Sequence, residues 1–124
     1  MKRERRADMK RGDQGRIVLV TCATLAEAKQ IATTVAGERL AVCVNVIVSP
    51  IESFYRWQGK LEKAREYLLV MKTTANRLAE LERKVERLHS YDVPEFIALP
   101  ITEGSAKYPS WLDDSVTRTR RKRK

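Results

Sequence analysis

Residues 40–74 constrain this fold more than any other stretch, because they read as two long strands folded back on each other. Residues 40–57 are rich in apolar and β-branched side chains, and Pro50 alone interrupts the run with a residue unsuited to a strand interior. Gly59 marks a tight turn, and residues 66–73 form the returning strand. The stretch therefore predicts a long β-hairpin that needs cover on both faces.

A hairpin of this length is longer than the domain that carries it. At about 3.3 Å per residue, an arm of about 15 residues reaches roughly 50 Å, more than the width of a domain of about 100 residues. The tip, from Phe54 to Gly59, carries Tyr55 and Trp57. Soluble proteins tolerate unpaired strand edges and exposed aromatic rings when another chain covers them. The sequence thus predicts an oligomer in which the tip packs on a neighbouring subunit.

The net charge of +9 is confined to the two ends of the chain. Residues 1–16 carry +4 and residues 118–124 carry +6, whereas residues 17–117 hold 12 basic and 13 acidic side chains, a net charge of −1. We predict one domain over 17–117 between two flexible, solvated basic tails. The tails are interpreted as solubilising; the alternative is a weak, non-specific attraction to nucleic acid. No specific nucleic-acid partner is expected.

No apolar segment approaches the roughly 18 residues of a membrane span, and no hydrophobic stretch follows the N-terminal charges as in a signal peptide. We therefore expect a cytoplasmic protein with no membrane partner. The two cysteines, Cys22 and Cys43, lack the spacing of a metal site and lie within predicted strands. We expect both to be reduced thiols in the core.

Apolar periodicity around the hairpin predicts the element order β-α-β-β-α-β-α. The elements are, in order, a strand at 16–22, a helix from Thr24 to Gly37, the two hairpin strands, a helix at 78–88, a strand at 95–101 and a helix capped by Ser105. Gly37 is expected to end the first helix in the left-handed conformation. Two β-α-β units interleave into a four-stranded antiparallel sheet with two helices on one face. The predicted fold is a ferredoxin-like α+β sandwich with an extra C-terminal helix.

The chain carries none of the common motifs that announce a catalytic mechanism, such as a phosphate-binding loop or a zinc-protease helix. Asp92 and Glu95 could act as a carboxylate pair, but an Asp at a turn is common for backbone reasons. A Cys-His dyad would need a cysteine from a strand interior, where burial raises the thiol pKa. We therefore expect a protein that is not an enzyme.

His89, the only histidine, is the candidate metal ligand, because copper and similar metals prefer a neutral imidazole. The competing interpretation is that His89 ends the second helix and packs there without a metal. Lys72 ends the third strand, where it could join a pocket for a carboxylate or be an ordinary edge lysine. A cleft between subunits is also predicted, in which Lys72, Tyr91 and Glu95 of one chain meet Tyr55 and Trp57 of a neighbouring subunit.

Four ordered motifs resemble those of the CutA divalent-cation tolerance family. They are Cys43-Val44-Asn45, Tyr55-Arg56-Trp57-Gln58-Gly59-Lys60, Lys72-Thr73-Thr74 and His89-Ser90-Tyr91-Asp92-Val93-Pro94-Glu95. The resemblance runs from about Ile17 to Val116. It implies a cytoplasmic homotrimer of ferredoxin-like subunits, related in architecture to the PII signalling proteins, in which the long hairpins join sheets across subunits.

The resemblance also implies a role in the tolerance of divalent cations, especially copper, without catalysis and without a cofactor needed for folding. The family's usual His-Pro-Tyr is here His89-Ser90-Tyr91, and Leu88 stands where some members have a second histidine. A first-strand cysteine that binds metal in some members aligns with Thr21, and alternation places the neighbouring Cys22 on the opposite face. The alternatives are a PII-like sensor of a small ligand and a highly stable assembly or scaffold protein.

Overall fold

A computed structural model describes residues 15–117 as a five-stranded antiparallel sheet with two helices packed on one face. The elements are β1 (Gly15–Cys22), α1 (Leu25–Gly37), β2 (Cys43–Val46), β3 (Ile51–Trp57), β4 (Lys60–Thr74), α2 (Ala75–Leu88), β5 (Ile97–Pro100) and α3 (Tyr108–Thr117). The strand order is β2-β4-β1-β5, and β3 pairs with β4 outside this path. The predicted ferredoxin-like α+β sandwich with an added C-terminal helix is confirmed.

The predicted start of the domain at residue 17 is two residues late. β1 begins at Gly15, which pairs with Thr74, and Arg16 is also part of the strand. The remainder of the two predicted basic tails, residues 1–14 and 118–124, lies outside the described residues.

The core lies between the sheet and helices α1 and α2. Alternate residues of β1 and β4 point into it, and the apolar faces of the two helices close it. Its largest fully buried side chains in these elements are Val18, Val20, Ile31, Val35, Leu69, Met71, Leu81 and Val85. Thr24 caps α1 as predicted, because its hydroxyl oxygen accepts the Glu27 N–H at 3.1 Å.

The strand predicted before the hairpin turn is divided in two. Both β2 and β3 pair with β4. Ile51 comes five residues after Val46, but their partners in β4, Glu66 and Leu69, are only three residues apart. The two extra residues leave the ladder in the segment that contains Pro50, which has no N–H to donate. The hairpin is therefore long and antiparallel, as predicted, with a bulge that the apolar run did not reveal.

The ribbon of β3 and β4 extends beyond the rest of the sheet, as the sequence predicts. β1 pairs with β4 only from Tyr67 onward, whereas β3 pairs with residues 60–66. Gln58 and Gly59 take positive φ values of 51° and 80°, as a two-residue type I′ turn requires. The large side chains of the ribbon that are 43–69% exposed are Phe54, Tyr55, Trp57 and Leu61.

The first helix ends at Gly37 as predicted, but the left-handed conformation expected there belongs to Arg39, with a φ of 59°. The Arg39 guanidinium donates to the Ser115 carbonyl at 3.4 Å, a contact that helps to hold this residue in place. The last helix begins at Tyr108 and not at Ser105, whose carbonyl accepts the Tyr108 N–H in the turn before it.

The added helix α3 closes the end of the sheet where β1 begins and β4 ends. Leu112 and Val116 are buried there, and a Cβ atom at Gly15 would lie 3.1 Å from Leu112 Cδ2. Arg77, in the first turn of α2, donates to the Val116 carbonyl at 3.0 Å. No helix within residues 15–117 is long and apolar enough to cross a membrane.

Candidate functional site

A cleft of about 620 Å³ opens between the root of the β3–β4 ribbon and the loop that follows α2. The cleft is lined by Thr21, Ser53, Phe54, Tyr55, Trp57, Glu66, Tyr91, Asp92, Val93 and Glu95. Carboxylates and aromatic rings dominate this set, and none of the lining residues is basic. A single chain thus forms a cleft without help from a neighbour.

Strand alternation explains why residues of the ribbon meet in the cleft. β3 pairs with β4 in a register that places Ser53, Tyr55 and Trp57 on the same face as Glu66. Thr21, near the end of β1, lies on this face too. It is the face that the helices leave open, because the alternate residues of β1 and β4 point into the core.

His89 holds the loop that forms the other wall of the cleft. It follows α2 directly, and its side chain is fully buried. Its Nε2–H donates to the Thr21 carbonyl at 2.8 Å, and its Nδ1 accepts the Tyr91 N–H at 3.1 Å. These two partners assign the neutral tautomer that carries its proton on Nε2. The imidazole therefore links the end of β1 to the loop.

Glu27 fixes the same loop to the first turn of α1. Its carboxylate accepts the Ser90 N–H at 2.6 Å and the Ser90 hydroxyl at 3.0 Å. Its Oε2 also lies 3.5 Å from His89 Nδ1. Because hydrogen bonds to a carboxylate are among the stronger ones in proteins, the loop is positioned before any ligand arrives.

Tyr91 connects the loop to the ribbon. Its hydroxyl donates to Glu66 Oε2 at 2.7 Å, and Glu66 is only 8% exposed. Burial raises the pKa of the Tyr91 phenol above its usual range, and the hydrogen bond to Glu66 raises it further. Tyr91 is therefore a neutral donor to a carboxylate at the base of the cleft.

The described residues of one chain do not fit a copper site. Both ring nitrogens of His89 have hydrogen-bond partners, so copper would have to displace the Thr21 carbonyl or the Tyr91 N–H. Burial, with the negative charges of nearby carboxylates, raises the pKa of the Cys22 thiol to about 12, which disfavours the thiolate that binds metals. Within residues 15–117, no three His, Cys, Asp or Glu side chains are grouped closely enough to hold a metal ion.

Of the residues predicted for a cleft between subunits, four line the cleft of a single chain and Lys72 does not. The four are Tyr55, Trp57, Tyr91 and Glu95. Lys72 lies six residues along β4 from Glu66, which is about 20 Å at the rise of a strand. It pairs with Cys43 and donates to the Asn45 side chain. Lys72 is therefore separated from the cleft of its own chain, and its place in a cleft between subunits stays a prediction.

Sequence reasoning missed Glu66 and Glu27, the two carboxylates that organise the cleft and its loop. Glu66 stands at the start of an apolar strand segment, and such an acidic residue is usually read as the solvated end of a strand. The signal that identifies it is the register between β3 and β4, which sets Glu66 opposite Ile51 and on the same face as Ser53. Glu27 carries no comparable signal, because Ser90, its partner, is 63 residues away in the chain.

Comparison with known proteins points to one family. Residues 16–115 match the family described as CutA1 divalent ion tolerance protein. The divalent-cation tolerance protein CutA of Thermus thermophilus is 44% identical over 100 residues, which cover 81% of this chain and 96% of the relative. A solved structure of the protein from this organism has a TM-score of 0.79 at 42% identity, covering 82% of this chain and 97% of that one.

Two further relatives carry different compartments in their names. The chloroplastic protein CutA of Arabidopsis thaliana is 48% identical over 81% of this chain, which spans 54% of the relative's length. The solved structure of the periplasmic divalent cation tolerance protein CutA of Archaeoglobus fulgidus has a TM-score of 0.78 at 36% identity, covering 82% of this chain and 98% of that one. The likeness therefore extends across the described strands and helices.

Proposed function

Because the chain belongs to the CutA1 divalent ion tolerance family, we propose that it acts in the response to divalent cations as a non-enzymatic homotrimer. The observation that carries the proposal is the overhanging ribbon, whose tip from Phe54 to Gly59 exposes Trp57 to 48%. Paired strands with exposed rings are stable in water when another copy covers them. The number of three copies follows from the family resemblance.

A second surface supports assembly, namely the sheet face that the helices leave open. The register places Ile17 beside Leu99 and Leu19 beside Ile97 on this face. Leu99 and Ile97 are each 45% exposed, although they are aliphatic side chains in a strand. An apolar area of this kind, continuous with the root of the ribbon, is typical of an interface between copies.

Light scattering at micromolar concentration tests the assembly. We expect a mass close to three times the 14.3 kDa of one chain. The mass of a single chain under these conditions would remove the proposal, because the ribbon and the open face would then both stay exposed to water.

The proposal includes copper binding, which we assign to the trimer and not to one chain. A metal site in a protein needs three or four ligands, and symmetry can bring them together from several subunits. A site that includes the His89 imidazole would lose copper affinity at acidic pH, because protons compete with the metal for the neutral ring.

Calorimetric titration with copper chloride at about pH 7.5 and about pH 5.5 tests the part played by His89. Weaker binding at the lower pH and in His89→Ala would support it. Equal affinities at the two pH values, or undiminished binding in His89→Ala, would show that copper is held elsewhere. His89 would then serve only to link Thr21 to the loop.

The cleft favours a second candidate function, the sensing of a small organic ligand by a PII-like trimer. Its volume of about 620 Å³ lies within the range of about 300 to 1,000 Å³ that is usual for small-molecule sites. His89 and Glu27 hold its loop in place in advance. If the protein is instead a scaffold, the cleft should bind no ligand.

We also propose a cytoplasmic location for this chain. Both of its cysteines, Cys22 and Cys43, are free. Unpaired cysteines agree with a reducing compartment, in which disulfides are rare. Fractionation of the native cells, with detection of the full chain, tests the proposal, and recovery in a secreted or periplasmic fraction would contradict it.

A further inference from the structure

Both basic tails join the domain at the same end. Residues 1–14 precede β1, which begins at Gly15, and a Cβ atom at Gly15 would lie 3.1 Å from Leu112 Cδ2 of α3. Residues 118–124 follow the end of α3 at Thr117, five residues after Leu112, and five residues of helix rise by only about 7.5 Å. The fold therefore brings the starting points of the two tails close together, although the tails stand at opposite ends of the sequence.

The two tails carry the whole net charge of the protein. Residues 1–14 hold six basic and three acidic side chains, and residues 118–124 hold six basic and no acidic ones. Residues 15–117 hold 13 side chains of each sign and are neutral. A net charge of +9 is thus attached to one end of a neutral domain.

Two arginines of the domain lie where the C-terminal tail begins. Arg39 donates to the Ser115 carbonyl at 3.4 Å, in the last turn of α3. Arg77 donates to the Val116 carbonyl at 3.0 Å, and it also pairs with Glu80 at 3.1 Å, which offsets part of its charge. These contacts hold the end of α3 in place and continue the positive charge of the tail onto the folded surface.

The amount and type of this charge favour a polymeric anion. A small anion neutralises one or two positive charges, whereas a nucleic-acid duplex presents one phosphate charge per about 1.7 Å of its axis. Eight of the twelve basic side chains in the tails are arginine. The arginine guanidinium donates two parallel hydrogen bonds to phosphate oxygens, a geometry that lysine does not offer.

An anionic membrane fits the tails less well than a nucleic acid does. Segments that lie in a membrane surface insert apolar side chains into it, and the only apolar residues of the tails are Met1, Ala7 and Met9. We propose that the two tails together bind the phosphate backbone of a nucleic acid at this end of the domain. Contacts to phosphates carry no sequence information, so this binding is independent of base sequence.

The proposed site is separate from the surfaces assigned to contact between copies. Gly15 pairs with Thr74 at the end of β4. Thr74 stands eight residues from Glu66 of the cleft, which is about 26 Å at the rise of a strand. Nucleic-acid binding at this end therefore requires neither the response to divalent cations nor a particular number of subunits.

Fluorescence anisotropy of the full chain with a labelled DNA duplex tests the proposal. A duplex of about 12 base pairs, a little more than one helical turn, is short enough that both tails must share it. We expect saturable binding at about 50 mM sodium chloride that weakens by about tenfold or more at about 100 mM, because each neutralised phosphate releases a counterion.

Two variants each replace three tail arginines by glutamine. The substitutions are Arg3→Gln, Arg5→Gln and Arg6→Gln in the first variant, and Arg118→Gln, Arg120→Gln and Arg121→Gln in the second. Each variant should bind the duplex about tenfold or more weakly, and all six changes together should abolish binding. The matched control removes the same charge from exposed positions on α1 and α2, with Lys29→Gln, Arg83→Gln and Arg87→Gln. The control should leave the affinity nearly unchanged.

Several outcomes would overturn the shared site. Absence of duplex binding would do so, and equal losses in the control and the tail variants would show that net charge alone attracts the duplex. Tail variants that keep their affinity but bind half as much duplex would show two separate sites. Binding to vesicles with about 25% phosphatidylserine, without binding to the duplex, would assign the tails to a membrane. Light scattering on the same samples reports the trimer independently of all these results.

Discussion

β4 passes through two different environments, the covered core and the exposed ribbon. Residues 67–74 pair with β1, and Leu69 and Met71 are fully buried beneath the helices. Residues 60–65 pair only with β3, and Leu61 is 69% exposed. Both halves form a strand although residues 60–65 are mostly charged and residues 67–74 are mostly apolar or β-branched. The difference lies in what covers them, and the uncovered half is the part of the chain that we assign to contact with another copy.

The largest expected effect compares one substitution in the two halves of this strand. Leu69→Ala should cost about 2–5 kcal/mol in the free energy of unfolding, because it leaves a cavity in a close-packed core. Leu61→Ala should cost clearly less, because this side chain is mostly in water in the single chain. Urea unfolding measures both. Equal losses at the two positions would mean that the ribbon is as deeply covered in solution as the core.

Assembly is the next test, and the two tryptophans form a matched pair. Trp57 and Trp111 are 48% and 49% exposed in the single chain, but Trp57 lies on the ribbon and Trp111 on α3. Trp57→Ala should weaken the trimer by about 2 kcal/mol or more, as expected for an aromatic anchor at an interface. Trp111→Ala should leave it unchanged. Sedimentation over a dilution series measures this, and a Trp57→Ala trimer that resists dilution like the unaltered protein contradicts the assignment of the ribbon.

Substitutions of two neighbouring threonines at the buried end of β4 should change the free energy of unfolding differently. The Thr73 hydroxyl donates to the Leu40 carbonyl at 2.7 Å, whereas the buried Thr74 hydroxyl has no partner within residues 15–117. Thr73→Val should cost about 1 kcal/mol of unfolding free energy, and Thr74→Val should be neutral or stabilising. Thermal unfolding of both variants tests the pair. A destabilised Thr74→Val protein would indicate a partner for this hydroxyl.

The smallest expected effect is the dependence of stability on alkaline pH. The pKa of Cys22 is raised from 9.0 to about 12 in the folded chain, so the folded thiol keeps its proton where the unfolded thiol loses it. The contribution of the protonated Cys22 thiol to stability is therefore complete below pH 9 and is lost as the pH rises from 9 toward 12. Cys22→Ala should reduce the fall in unfolding free energy between about pH 8.5 and about pH 10 by up to about 1 kcal/mol. Cys43→Ala, a change to the half-buried cysteine, is the control. The same fall in unfolding free energy with pH in the unaltered protein, Cys22→Ala and Cys43→Ala would contradict the prediction.

Local patterns were sufficient to predict most of the strands and helices, and they named four of the ten residues that line the cleft. The helix cap at Thr24, the turn at Gly59 and the apolar faces of α1 and α2 depend on residues a few positions apart, so their signals are contained in short windows of sequence. The length of the hairpin predicted the overhang, since a strand rises by a nearly constant distance per residue. The family resemblance added the functional interpretation and the expected number of subunits.

Contacts between distant residues decided what the short windows could not. The bulge between β2 and β3, and with it the face that Glu66 presents to the cleft, depends on the pairing with β4. A shift of one residue in that register would turn Glu66 to the helices. His89 links β1 to the loop because the Thr21 carbonyl, 68 residues away, accepts its Nε2–H. Register and burial are properties of the folded chain as a whole, because each is set by whichever distant segment packs alongside.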